Sequence, residues 1–388
     1  MCSQVYVSEG KARLMFSSDE VREQRVFYNP RMSMNRDVAI LFVQSYFNSR
    51  KIRICDPMTG SGVRAMRYLF ECPNVEAVEA LDRDSDAVEF ARRMLQLNHV
   101  VGERVIVVED DANRFLLNHE DKFDLVDLDP FGSPVSFYES ALRSIVDGGV
   151  LAATATDMAP LTGTRAAACF RKYNIVPVRT DFEKEIAIRV LAASLALAAN
   201  RLEMGTRVVF SHASDHYARV YVEVRKGKKA ANESAKQLGF VEYCPRCLRR
   251  DSCRVYEEFH LSCENCRGLT RIGGLLWLGT LWDVNCVRNM NDYSGLITSA
   301  RIADLQKLVG QIGEEVMAPP FYYRVDLVAS SLRINPPRIG SLVSALRDMG
   351  YVATRTHFHP NAFRTDAPIR RIRSEVSRLA NESKSKKV

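Results

Sequence analysis

From residue 51 the apolar and polar positions fall into a repeating rhythm. Short apolar runs bounded by turn residues read as buried strands, and apolar residues spaced three and four apart read as helices. Lys51 to Cys55 is a short strand ending at Asp56, and the turn Pro57-Met-Thr-Gly-Ser-Gly62 follows. Val63 to Phe70 then has helical spacing. Val75 to Leu81 is a second strand closed by Asp82, and Ser85 to Leu97 a helix with Val88, Ala91 and Leu95 on one face. Arg104 to Val108, Phe123 to Leu128 and Gly149 to Ala155 continue the strand series. Strands alternating with helices predict a parallel sheet covered on both faces. Near 206–225 the rhythm changes to strand–turn–strand, Thr206 to Ser211 and Arg219 to Arg225, a terminal antiparallel pair. Plain dinucleotide folds usually lack such a pair.

Residues 1 to about 50 form an approach segment with a helix-like run from Val38 to Tyr46. Around 226–236 the chain turns polar and basic, and a domain boundary is expected there, giving residues 1–228 and 229–388. The second part reads as α+β. It holds a cysteine-rich segment at about 240–275 and helix-like stretches at about 297–315. Its last unit, about 315–370, has two helices (Val325 to Leu332, Pro337 to Met349), then a strand from Tyr351 to Phe358 and a turn at Pro360-Asn361. That is a winged-helix outline.

Composition narrows the class. No apolar run reaches the roughly 18–20 residues a membrane span needs; Ile186 to Ala199 is interrupted by Arg189 and reads as a buried helix. The N-terminus has no basic stretch before an apolar core, so a cytoplasmic protein without a secretory signal or membrane partner is expected. Lys plus Arg is 54 and Asp plus Glu 47, a formal charge of +7. This mild excess suits a polyanionic partner. Basic residues cluster at Arg225 to Lys229, at Arg246, Arg249 and Arg250, and at Arg370, Arg371 and Arg373; solvated surface is the alternative reading.

In an open parallel sheet, ligands sit beyond the carboxyl ends of the strands. Here four successive strands end in Asp56 with the glycine loop, Asp82, Asp111-Ala112, and Asp129-Pro130-Phe131. Gly60-Ser-Gly62-Val-Arg-Ala65, with Asp82 twenty residues after Gly62, fits a nicotinamide dinucleotide as well as S-adenosylmethionine. Both ligands need backbone to approach closely and a carboxylate for ribose hydroxyls. Asp56 tips the balance, because a carboxylate before the turn repels pyrophosphate but suits a sulfonium and amino group. Each aspartate alone could instead cap the next helix.

Asp129-Pro-Phe-Gly132 resembles the (Asp/Asn)-Pro-Pro-aromatic motif of methyltransferases acting on ring-conjugated amines. The lone pair of such an amine is delocalised, so the nitrogen is a poor nucleophile. An acceptor beside its protons, Asp129 helped by the Pro130 carbonyl, returns density to nitrogen as the methyl bond forms. Proline fixes the turn, and Phe131 offers a stacking face for an extruded base.

Cys244-Pro-Arg-Cys247 and Cys263-Glu-Asn-Cys266 have the spacing of a four-thiolate zinc ribbon. Four ligands leave no open position, so the zinc is expected to be structural. Cys253 is spare. Arg246, Arg249, Arg250 and Arg254 would place positive charge beside the ribbon, against an RNA backbone. His357 and His359 flank one residue of a strand, so they share a side and read as a packed or RNA-facing pair.

Val26-Phe-Tyr-Asn-Pro-Arg-Met32, Asn35-Arg-Asp37, Asp127-Leu-Asp-Pro-Phe-Gly-Ser-Pro134, Thr154-Ala-Thr-Asp157 and Ala353-Thr-Arg-Thr-His-Phe358 resemble the tRNA guanine-26 dimethyltransferase family over residues 8 to 368. The length is similar to archaeal members. The resemblance implies an α/β Rossmann-like class I methyltransferase domain that moves one or two methyl groups from S-adenosylmethionine to the 2-amino group of guanine 26 in tRNA. It also implies Arg36 and Arg64 at the cofactor's carboxylate, Asp82 at its ribose, and Asp111 with Ala112 at its adenine. It sets Asp129 as the catalytic acceptor and makes Phe27 and Phe131 a sandwich for the base. The residues alone would not have selected Arg36, Arg64 or Phe27. The rivals are an amino-methyltransferase on another RNA or DNA base and a non-catalytic zinc-ribbon RNA-binding protein. No obligatory protein partner is expected.

Overall fold

The computed structural model describes residues 4–17, 20, 26–100, 104–214 and 216–385. The chain forms two compact units, interleaved in sequence. The first comprises Met1–Thr154, Tyr221–Gly227 and Asn285–Val309; the second comprises Ala155–Val220, Lys228–Val284 and Gly310–Val388.

The first unit opens with a hairpin, β1 (Gln4–Glu9) and β2 (Ala12–Ser17), paired antiparallel. Helix α1 (Ser33–Tyr46) leads to β3 (Ile52–Asp56), α2 (Val63–Glu71), β4 (Val75–Asp82), α3 (Ser85–Leu97), β5 (Val105–Glu109), α4 (Ala112–Leu117), β6 (Phe123–Leu128) and β7 (Ile145–Ala155). The seven-stranded sheet has the order β5-β4-β3-β6-β7-β9-β8, where β8 (Met204–Ala213) is a strand of the second unit and β9 (Ala218–Lys226) has its Tyr221–Lys226 stretch in the first. Pairings β3–β4, β3–β6, β4–β5 and β6–β7 are parallel. Strands β8 and β9 are a hairpin, its turn held by Ser214 N–H donating to the Tyr217 carbonyl (2.9 Å), and a turn that short joins only antiparallel neighbours. The expected α/β class and reversed final pair are therefore present. Strand order changes direction between β3 and β6, which sets a crevice at their carboxyl ends.

The core follows from side-chain choice. Strand β3 buries Ile52, Ile54 and Cys55, and β6 buries Phe123, Leu125, Val126 and Leu128, as a strand covered on both faces must. Ala12, Leu14 and Phe16 of β2 close a second cluster with Val63 and Met66 of α2 and Phe90 and Met94 of α3. The hairpin is thereby fixed to the two helices that flank the glycine loop.

The second unit contains α5 (Glu183–Arg201) and a three-stranded antiparallel sheet of order β11-β10-β12, with β10 (Leu238–Tyr243), β11 (Arg250–Arg254) and β12 (Arg271–Trp277). A last module holds β13 (Tyr323–Arg324), α6 (Val325–Ser331), α7 (Ile339–Asp348), β14 (Ala353–Arg355), β15 (Ala362–Thr365) and α8 (Ile369–Ser385). Its sheet runs β13-β15-β14, antiparallel throughout. Two helices followed by a hairpin give the winged outline.

Beneath it lies a buried ion network. Arg364 bridges Glu185 (3.0 Å) and Glu315 (2.6 Å), Arg189 holds Glu185 (2.8 Å), and His357 meets Glu315. Burial alone would raise the Glu315 carboxyl, but His357 and Arg364 outweigh it and bring it down to about 2. Such charges tolerate burial only because each is paired and hydrogen-bonded. His357 is thus a packed residue. Among the described residues, no helix is long and apolar enough to cross a membrane.

Candidate active site and metal centre

The glycine loop is strapped to the end of β4. Thr59 N–H donates to the Leu81 carbonyl (2.9 Å), and Gly60 N–H donates to Asp82 Oδ2 (3.0 Å). Asp82 Oδ1 accepts from Asp84 N–H (3.1 Å). Gly60 and Gly62 are left-handed, with φ of 51° and 72°. A Cβ on Gly62 would stand 3.0 Å from the Ala91 Cβ of α3, so glycine is required there both by backbone conformation and by close approach.

Asp56, at the tip of β3, is fully buried, and the Thr59 hydroxyl donates to its Oδ2 (2.9 Å). Burial raises its carboxyl to about 7; Arg64 pulls the other way, while Asp127 and Asp129 add negative charge. Past β5, Asp111 caps α4 by accepting from Arg114 N–H (3.0 Å), and Ala112 is buried behind it. The helix-capping alternative therefore holds for one Asp111 oxygen.

Asp129 follows β6. Its Oδ2 accepts from Arg64 Nη2, and its side chain keeps 17% exposure. The same Arg64 nitrogen donates to Asn35 Oδ1 (2.9 Å), and Nη1 donates to Asp127 Oδ2 (3.2 Å). Tyr68 donates its hydroxyl to that oxygen too (2.6 Å). Pro130 is half-buried and turns the chain so that Phe131 projects with 77% exposure. Phe27, 52% exposed, meets it edge to face with ring centroids 4.5 Å apart. The Phe27 carbonyl oxygen lies 3.3 Å from where a Gly60 Cβ would stand, which brings this segment to the glycine loop.

Arg36 donates to both oxygens of Glu9 (2.6 and 2.5 Å) and to the Asn29 carbonyl (3.0 Å). Fully buried Arg67 ties Glu9 (3.1 Å), Asp37 (2.7 Å) and Glu71 (2.8 Å) together. Burial opposes ionisation of Glu9, yet Arg36 and Arg67 lower its carboxyl. Sequence reasoning missed Glu9, Asn35, Arg67 and Asp127 as members of this cluster. The available signal was Arg64 and Arg67, three apart on a helix that is apolar apart from them, the Tyr68 hydroxyl and Glu71, which places two cations on one buried face.

The four cysteines come together as the spacing predicts. Their sulfurs all lie within 4.8 Å of one another, and Cys244–Cys266 and Cys247–Cys263 are each 3.5 Å apart. A disulfide needs about 2.05 Å, whereas a tetrahedral zinc with bonds of about 2.3 Å sets its sulfurs roughly 3.8 Å apart. The donor set fits structural zinc and leaves no ligand position open. Among the described residues no other such cluster occurs, and Cys253 lies outside it.

One expectation for the ribbon fails. Arg250 is buried, pairs with Asp181 (3.0 Å), and lies over the rings of Tyr323 (3.8 Å) and Phe182 (4.6 Å). Its charge is spent inside this unit through cation–π and ion-pair contacts and does not face a polyanion.

Residues 7–377 match the family model described as N2,N2-dimethylguanosine tRNA methyltransferase. The tRNA (guanine(26)-N(2))-dimethyltransferase of Methanosphaera stadtmanae is 35% identical over 349 residues, spanning 89% of this chain and 88% of that protein. That of Methanobrevibacter smithii is 32% identical over 382 residues, spanning 97% and 98%. Among solved structures, the complex of Trm1 from Pyrococcus horikoshii with S-adenosyl-L-methionine is similar with a TM-score of 0.87 and 31% identity, covering 96% of this chain and 99% of that one.

Proposed function

The chain belongs to the N2,N2-dimethylguanosine tRNA methyltransferase family, and from that premise we propose that it methylates the exocyclic 2-amino group of guanine 26 in tRNA, once or twice, with S-adenosylmethionine as donor. The observation that carries this reading is the Asp129-Pro130-Phe131 turn at the switch point of the sheet, with Asp129 anchored by Arg64.

When bound, S-adenosylmethionine supplies an electrophilic methyl group on a sulfonium. Gly60 and Gly62 let backbone approach it, Asp82 receives its ribose hydroxyls, and Asp111 with Ala112 borders its adenine. Asp56 faces its cationic end. Arg36 and Arg64 receive its carboxylate. Asp129 is held through one oxygen, so its other oxygen can accept an N–H of the guanine amine. That acceptor strengthens as positive charge develops on nitrogen, which stabilises the transition state more than the ground state. Phe27 and Phe131 separate to take the flipped base between them. Residues 1–228 carry this chemistry, and residues 229–388 form a tRNA-binding domain with a structural zinc ribbon. An enzyme with a tRNA substrate is expected to act in the cytoplasm.

Mass spectrometry of nucleosides from a defined tRNA transcript, incubated with the protein and labelled donor, tests the reading. Methylated guanosine should form on the natural transcript and vanish when adenine replaces guanine 26. Methylation that persists on the substituted transcript, or that falls on a different base, overturns it.

Asp56 makes a second expectation. With its carboxyl at about 7, it is mostly neutral at pH 6 and mostly ionised at pH 8. Only the ionised form attracts a sulfonium, so donor affinity should rise with pH across that interval and binding near pH 7 should release protons. Calorimetry in buffers of different ionisation enthalpy measures both. Asp56→Asn should flatten the profile; a profile as steep in that variant would assign the titration elsewhere.

A further inference from the structure

The two zinc knuckles share one geometry. In the first, Cys244 N–H donates to the Arg249 carbonyl (2.9 Å) and Leu248 N–H to the Cys244 carbonyl (2.8 Å). In the second, Cys263 N–H donates to the Gly268 carbonyl and Arg267 N–H to the Cys263 carbonyl, both 2.8 Å. The fourth residue after each leading cysteine is left-handed: Leu248 at φ 66° and Arg267 at φ 58°. Side chains disfavour that conformation, and glycine or asparagine is the usual occupant. Leu248 is buried, so packing offsets the strain. Arg267 is exposed and gains no such packing.

Other cations gather at the same place. Arg246 lies across the second knuckle, since a Cβ on Gly268 would come within 3.3 Å of its Cδ. Arg370 Nε donates to Asn265 Oδ1 (2.9 Å), which joins the first turn of α8 to this knuckle, and exposed Arg371 follows. The start of a helix is where the macrodipole disfavours cations and favours carboxylates, yet the first turn of α8 has no acidic residue. Arg249 is neutralised by Asp251 (3.0 Å) and Glu264 (2.7 Å). Among the described residues, by contrast, Arg246, Arg267, Arg370 and Arg371 make no ion pair. Three of the four thus occupy positions that local stability argues against, and all four are left unneutralised.

We propose that Arg246, Arg267, Arg370 and Arg371 form a binding surface for the phosphodiester backbone of the tRNA substrate, mounted on the zinc knuckles. This rests on the tRNA reading of the site. Four guanidinium groups spread over two knuckles and a helix start suit a chain of phosphates rather than one small anion, and guanidinium matches phosphate geometry through paired N–H donors. Contacts of this kind fix orientation without reading sequence.

The test is fluorescence anisotropy of a labelled tRNA transcript over a salt series. The variant carries Arg246→Ala, Arg267→Ala and Arg371→Ala together. Affinity near 0.1 M salt should fall about 10- to 100-fold, and the slope of log K against log salt should shrink by about two to three, because fewer counterions are released. Zinc content and S-adenosylmethionine affinity should match wild type, which shows that the fold survives. Lys228→Ala with Lys229→Ala serves as comparator for generic charge. Unchanged tRNA affinity overturns the proposal and would suit a surface serving a protein partner. A loss without a change in slope, or an equal loss per charge in the comparator, overturns it too. Wild-type protein that leaves the transcript unmethylated would refute the functional reading instead; normal methylation with unaffected variant binding would refute only this surface.

Discussion

Asp129→Ala should lower methyl transfer by about a thousandfold while leaving the protein folded and able to bind S-adenosylmethionine. The size follows from the role. Removing a single preorganised group that stabilises transition-state charge typically costs 10²–10³ in turnover, and here the poor nucleophilicity of a conjugated amine makes that group the main source of activation. The fold should survive because Arg64 is not orphaned: Asn35 Oδ1 (2.9 Å) and Asp127 Oδ2 (3.2 Å) still hold it. Donor affinity should change little or tighten, since Arg64 loses a carboxylate that competes for its guanidinium. Asp129→Asn keeps an oxygen acceptor of similar shape without the charge and should fall between alanine and wild type. Single-turnover transfer from labelled donor, read as methylguanosine, separates the chemical step from product release. Turnover in the alanine variant within tenfold of wild type would remove Asp129 from the mechanism.

The parts of this molecule that could be read from sequence are those encoded by short-range pattern. Strand ends were legible because each apolar run stops at a carboxylate, and the structure sets Asp56, Asp82, Asp111 and Asp129 at or just beyond the ends of β3, β4, β5 and β6. The thiolate cluster was legible because two C-x2-C knuckles carry their geometry locally. What escaped is long-range pairing of charges. Glu9 and Arg67 meet across 58 residues, and Ser299 donates to Asp37 across 262. Nothing near either partner marks it, because an acid or base is equally at home on a solvated face. Arg250 shows the same limit. It sits in a run of arginines that reads as surface, but Phe182 and Tyr323 from two distant segments enclose it together with Tyr243, its partner on the neighbouring strand.

The Glu9–Arg36–Arg67 cluster also shows why the approach segment matters to the site. Tyr28 donates to Glu9 (3.0 Å), and burial together with that carboxylate raises its hydroxyl to about 12. Phe27 is the next residue back, and its ring touches Phe131. The ring proposed to stack the base is thus set by a neighbour locked into the ion network of the hairpin, which fixes its backbone while leaving the ring itself exposed. A rigid mount with a free face is what a stacking residue needs.

Stripping the metal from the four cysteines should unfold the ribbon and leave the methyl-transfer residues in place. Structural zinc sites of this type contribute about 10–16 kcal/mol of apparent binding energy in isolated fingers, and that energy is folding energy because no preformed site exists in the unfolded chain. Among the described residues, the buried cluster at the knuckles consists of the cysteines themselves, Cys244, Cys247 and Cys263 with Cys266 packed against them, so the metal is the main bond between the two knuckles. Cys263→Ser should therefore lose zinc by elemental analysis and lower the melting temperature, and prolonged chelation of wild type should do the same. Cobalt substitution offers a direct view, since a four-thiolate tetrahedral site gives intense thiolate-to-cobalt charge-transfer bands that the serine variant should lack. The aspartates and arginines of the sheet crevice belong to the other compact unit, so donor binding by calorimetry should survive while tRNA affinity falls with the loss of Arg246 and Arg267 from their mount. A protein that keeps its full melting temperature after complete removal of zinc would show that the ribbon is held by its own strands, and the sulfur cluster would then need a different explanation.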